Sequence, residues 1–199
     1  MILDCSSQSF LHQITWTGDE QDLRLVDMVT KKTQYFSAVG VVRWIDLNCN
    51  RGGLGRSESS DEDFQQGGDQ ERSPWYTLSL MVPEGGSVRE EYHTVVAHLK
   101  ELEKTKVGRR KTKGVVRIDG LGGFVLRFEK PVFHLTAIKD EFFGEDIIRV
   151  WNKRGFRVPD DQIDEELENA LVKVTFTMTK TVGICRDFVV AEPCRVDIL

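Results

Sequence analysis

From residue 172 to residue 179 the chain alternates without a break. Val172, Val174, Phe176 and Met178 stand against Lys173, Thr175, Thr177 and Thr179. A period of two predicts a β-strand with one face on a core. The pattern returns at 124–129, where Phe124, Leu126 and Phe128 interleave with Val125, Arg127 and Glu129. Val115-Val116-Arg117-Ile118-Asp119 and the turn Gly120-Leu121-Gly122-Gly123 come just before it, which predicts a hairpin. That glycine turn is no phosphate cradle, because a strand follows it where a cradle needs a helix start.

Residues 35–47 form a run of aromatic and β-branched residues, which predicts a long strand or two strands joined at Gly40. Strict alternation places Gly40, Val42 and Trp44 on one face, and Val39, Val41 and Ile45 on the other. A further strand is expected over Trp75–Val82, closed by Pro83-Glu84-Gly85-Gly86. Between these two, residues 50–73 hold five glycines around Ser57-Glu58-Ser59-Ser60-Asp61-Glu62-Asp63. That stretch has little to bury and reads as a flexible surface insertion in a grown hairpin connection. Ser59 and Ser60 each have an acidic residue three positions later, as in an acid-directed kinase site, although such runs are common in unmodified loops.

One segment changes period. Tyr92, Val95, Val96, Leu99 and Leu102 recur at steps of 3, 1, 3 and 3, which predicts an amphipathic helix. Ser87-Val88-Arg89-Glu90 has the form of a capping box at its start, and Gly108 is a natural stop. Val132–Ile138 reads as a strand, whereas 140–156 fits a short helix or a strand equally well. Residues 159–170 suit an acidic loop or a helix of one or two turns. Phe188–Val190 and Arg195–Leu199 suggest a closing hairpin.

Seven to nine strands against one good helix make the chain mainly β. The expected architecture is an antiparallel barrel, oligonucleotide-binding (OB)-like in layout, or a jelly-roll-type sandwich, with the amphipathic helix inserted. Its 199 residues, 40% hydrophobic and 30% charged, suit a single domain with a real core.

Charge and cysteines narrow the function classes. A net charge of −5 disfavours nucleic acid globally, so such binding needs a local basic patch. Cys5, Cys49, Cys185 and Cys194 show no zinc-site spacing. The start MILDCSSQSFLHQ lacks the basic region and apolar run of a secretory signal, so reduced thiols in a cytoplasmic or nuclear setting are expected. No apolar run nears the ~20 residues that cross a bilayer, so no membrane partner is expected. His93 and His98 are five apart and do not share a helical face as an i, i+4 metal pair does, and His134 has no partner nearby in sequence. The carboxylates Asp160, Asp161, Asp164, Glu165, Glu166 and Glu168 lack calcium-loop spacing, so they read as a solvated face. No cofactor or metal is expected, and the balance leans away from an enzyme.

The local anomaly is Lys104-Thr105-Lys106-Val107-Gly108-Arg109-Arg110-Lys111-Thr112-Lys113, with six cations and no carboxylate in ten residues. Cations so concentrated suit phosphate contact with counterion release, although cations at a helix end are also favoured by its dipole. Aromatics on an exposed sheet surface would give stacking platforms, with Trp44 and Trp75 the first candidates and Tyr35 and Tyr76 behind them. Trp151, close to Lys153, Arg154 and Arg157, is a weaker candidate of the same kind. The residues thus point to non-enzymatic binding of single-stranded nucleic acid through Lys104, Lys106, Arg109, Arg110, Lys111, Lys113, Trp44 and Trp75. The alternative is a structural protein, self-associating or capsid-like, with acidic and basic segments pairing between copies.

Overall fold

The computed structural model describes residues 2–7, 9–19, 22–46, 75–104, 112–119, 122–131, 148–182 and 187–199. In chain order the strands are β1 (Ile2–Asp4), β2 (Ile14–Gly18), β3 (Asp22–Asp27), β4 (Tyr35–Asp46) and β5 (Trp75–Met81). After helix α1 (Gly86–Lys104) come β6 (Thr112–Lys113), β7 (Val116–Ile118), β8 (Phe124–Pro131) and β9 (Val150–Trp151). A short helix α2 (Ile163–Leu167) precedes β10 (Leu171–Val182) and β11 (Asp187–Ile198).

The protein is a mainly β, antiparallel structure with one long helix inserted between strands. β11 pairs with β10, β10 with β4, β4 with β5 and β5 with β8, all antiparallel. The sheet curls until β8 lies against β11, but no hydrogen-bonded ladder joins those two among the described residues. The barrel is therefore left open along one seam. Short parallel pairs (β1 on β4, β6 and β9 on β11) and the β2–β3 hairpin extend the edges.

The alternating segments supply the interior as their pattern requires. Val172, Val174, Phe176 and Met178 of β10 are buried, as are Leu126 and Phe128 of β8 and Leu78 and Leu80 of β5. Phe176 packs against Phe128 and Phe36, with ring centroids 5.0 and 5.8 Å apart. Helix α1 buries all five residues of its apolar face. The Tyr92 hydroxyl donates to the Leu80 carbonyl at 2.8 Å and lies 3.1 Å from that of Phe124, pinning the helix to β5 and β8.

Of the two readings of residues 35–47 the structure gives the long strand: β4 runs through Gly40, where a Cβ would sit 2.9 Å from the Leu80 Cβ. Other expectations change. The C-terminal segment is one twelve-residue strand, β11, paired along β10, and not a hairpin of its own. The register shifts by one between Thr175 and Phe176, where Cys194 is the extra residue beside Pro193. Proline is tolerated at such a bulge, where a ladder donor is not required. Helix α1 begins at Gly86, and among the described residues no side-chain hydrogen bond from Ser87 or Glu90 forms the expected capping box. The ambiguous stretch resolves at its end into strand β9, and the acidic stretch carries α2. The 50–73 insertion and the expected strand at 132–138 lie outside the described residues.

Candidate nucleic-acid interface

Trp44 owes its position to a bulge in β4. Val42 stands opposite Leu80 and Trp44 opposite Ser79, so Arg43 is an extra residue and the alternation slips by one. Because side chains alternate with a strict period of two, a single insertion exchanges the faces beyond it. Val42 is buried and Ile45 packs on the core, whereas Trp44 is 50% exposed. The expected partition, with Trp44 beside Val42 and Ile45 across from them, is thereby corrected. Arg43 also points outward, where its guanidinium meets the Asp119 carboxylate at 3.0 Å.

The edge of β4 beyond Val42 has lost β10 as its neighbour, because the Val42 amide already bonds the Ala170 carbonyl just before β10 begins. A cleft of about 320 Å³ lies there, lined by Val42, Arg43, Trp44, Ile45, Asp164, Glu168 and Asn169. An exposed indole can stack a planar group, and Arg43 adds a cation beside it. Asp164 and Glu168 repel phosphate, so this cleft suits a base better than a backbone.

Of the basic segment, Lys104 is exposed and pairs with Glu101 at 3.1 Å on the last turn of α1. Lys106, Arg109, Arg110 and Lys111 lie outside the described residues. Lys113 ends β6, its backbone opposite Phe188 of β11. The segment's root is fixed by Glu103, whose Oε1 accepts the amides of Val115 at 2.6 Å and Val116 at 3.0 Å. Gly114 lets that carboxylate approach, since a Cβ at 114 would overlap it. Burial pushes the Glu103 carboxyl above the ordinary carboxylate range, against the pull of those two amides and of Arg117 and Lys100. No pattern in the sequence marked this clamp.

Trp75 opens β5 with its backbone opposite Pro131, and the backbone of Tyr76 stands opposite that of Lys130 in the same ladder. Tyr35 is exposed where β1 joins β4, opposite Ile2. The structure thus turns Trp44 and Tyr35 to solvent, and it does not gather the basic segment and the tryptophans into one described cluster.

Trp151 is better organised than its sequence surroundings suggested. The Arg195 guanidinium lies 4.2 Å from its ring centroid and is itself held by Asp197 at 2.6 Å. The loop that follows carries Lys153, Arg154 and Phe156, all exposed, with Phe156 at 68%. Other residues settle as ordinary structure. His98 stacks on Phe10 and its Nδ1 lies 2.7 Å from the Cys5 carbonyl, while His93 is exposed. Burial pushes the Cys5 thiol up, away from reactivity. Among the described residues no group of three or more His, Cys, Asp or Glu is placed to hold a metal ion, and no helix is long and apolar enough to cross a membrane.

No family model matches the chain, and no curated protein matches it by sequence. Some solved structures align with most of its length at low identity. One is the single-stranded DNA-binding protein from bacteriophage Enc34, at 12% identity and TM-score 0.47, covering 93% of this chain and 88% of that one. The same phage protein in complex with single-stranded DNA gives 11% identity and TM-score 0.47 over 94% and 95%. A third is gp2.5, a single-stranded DNA-binding protein encoded by bacteriophage T7, at 13% identity and TM-score 0.43 over 83% and 91%.

Proposed function

We propose that this protein binds single-stranded nucleic acid inside the cell without catalysing a reaction. The observation that carries the reading is the bulge at Arg43, which turns a large aromatic, Trp44, out of an antiparallel barrel wall and leaves it half exposed. An indole half exposed on a barrel wall offers a π-face on which a base can stack. Trp44 and Trp75 stack bases. Arg109, Arg110, Lys111 and Lys113, with Lys104 and Lys106 beside them, neutralise phosphates from the segment that Glu103 anchors.

Fluorescence anisotropy with labelled single- and double-stranded oligonucleotides at two salt concentrations tests this. The expected result is preference for single strands, weakening with salt, and loss in a variant with Arg109, Arg110, Lys111 and Lys113 all replaced by Ala. Indifference to DNA and RNA at low salt would end the proposal.

A further inference from the structure

We infer that the hairpin Asn152–Arg157 is a second contact for single-stranded nucleic acid, where Phe156 stacks a base and Lys153 and Arg154 meet the flanking phosphates. The inference rests on the function proposed above, but on residues some forty positions away from the basic segment 104–113.

The hairpin is built to hold its shape. The Asn152 amide donates to the Phe156 carbonyl at 2.9 Å, and the Gly155 amide to the Asn152 carbonyl at 2.8 Å. The Asn152 side chain adds two more bonds, its Oδ1 accepting the amides of Arg154 at 3.0 Å and Phe156 at 3.1 Å. Gly155 sits at φ +78°, a conformation that glycine adopts without strain. At the root, Val150 and Val158 are both buried and the Val158 amide bonds the Val150 carbonyl at 2.9 Å. Trp151 pairs with Arg157 across the hairpin, and Arg195 covers the indole.

Such a turn needs only Asn152 and Gly155. Nothing in its own bonding requires a phenylalanine at 156, yet Phe156 stands 68% exposed on the stiffened loop. Beside it, Lys153 and Arg154 form no ion pair among the described residues, whereas Arg157 is engaged by Asp160 at 3.1 Å. A bare ring flanked by two uncommitted cations has the chemistry that takes a nucleotide, with the base on the π-face and the phosphate on the cations. An ordered loop also loses little conformational freedom on binding.

The location agrees. β9 and the start of β10 flank the same end of β11, with Val150 opposite Val196 and Val172 opposite Ile198. Ala170, just before β10, is bonded to Val42. The hairpin root and the Trp44 cleft therefore lie around one end of β11, joined by the α2 segment.

The test uses the full chain and a labelled oligothymidylate, comparing Phe156→Ala, Phe156→Trp and the double variant Lys153→Ala/Arg154→Ala with wild type. All three positions are exposed, and thermal melts of each variant check that it folds. The expected result for Phe156→Ala is binding about 5- to 150-fold weaker, the loss of one stacked base. Phe156→Trp should bind as wild type and add a fluorescence signal that the oligonucleotide quenches. The double variant should lower the salt slope by about 1.4, at about 0.7 per phosphate contact on single strands. If wild type binds and the hairpin variants keep its affinity and slope, this inference is overturned while the proposed function stands. If wild type itself ignores single strands at low salt, both fail.

Discussion

β4 and β10 are neighbours, each twelve residues long, yet they do different work. β10 keeps its alternation intact from Val172 to Lys180, and every second side chain over that span is buried, Lys180 included. β4 behaves in the same way through Phe36, Ala38, Gly40 and Val42, and then takes in Arg43 as an extra residue. Past that point Ile45 goes to the core and Trp44 to solvent. β10 also faces a bulge, but there the additional residue, Cys194, belongs to its partner β11. An unbroken strand builds wall. A strand with one residue too many builds wall on one half and offers a side chain to the outside on the other.

The contrast is testable, and the largest effect is expected inside β10. Phe176→Ala removes a ring packed on Phe36 and Phe128, and it should destabilise the protein by about 3–5 kcal/mol in chemical unfolding. Gly40→Ala tests the regular half of β4. Its Cβ meets that of Leu80 in a tight wall, so a loss of about 1–3 kcal/mol is expected. A stability unchanged from wild type would show that β4 and β5 can part without penalty.

Trp44→Ala tests the irregular half. It should cost about 1 kcal/mol of stability, well below Phe176→Ala, because half of the indole is already in water. Its effect belongs in binding, where loss of a stacked base weakens oligonucleotide affinity by about 1–3 kcal/mol. Large unfolding with intact binding would reverse the roles assigned to the two halves.

The smallest effect concerns the clamp at the end of α1. Burial raises the Glu103 carboxyl, so the folded state holds that proton more tightly than the unfolded chain does. The stability this gives is present in acid and is lost as pH rises past the ordinary carboxylate range. Glu103→Gln keeps an acceptor for the Val115 and Val116 amides and removes the titration. Urea unfolding at acid and at neutral pH should show the variant gaining on wild type as pH rises. A parallel pH dependence in the two proteins would contradict the assignment.

Much of the barrel was legible in the chain because its signals are local. The period of two in β8 and β10 and the period of 3.6 in α1 name the buried residues one by one. The pairing of β4 with β5 followed from two strand-like runs on either side of a segment with nothing to bury. Trp44 and the cations of 104–113 were legible as residue types, and so was the cluster of charge around Trp151. What the pattern misjudged is also specific. It left open a bend at Gly40, where the structure has one continuous strand in close approach to Leu80. It split β11 between Val190 and Arg195, where a bulge at Pro193 and Cys194 leaves one strand.

The sequence by itself determined a mainly β chain with one amphipathic helix, the identity of most core residues, and where charge is concentrated. These depend on spacing along one segment, and a hydrophobic side chain must be buried whatever its neighbour turns out to be. Only the tertiary structure decided which way Trp44 points, what Glu103 holds, and that Arg195 covers Trp151. Each of those depends on register between segments distant in sequence. A shift of one residue costs the pattern almost nothing, yet it exchanges the inside of a strand for the outside.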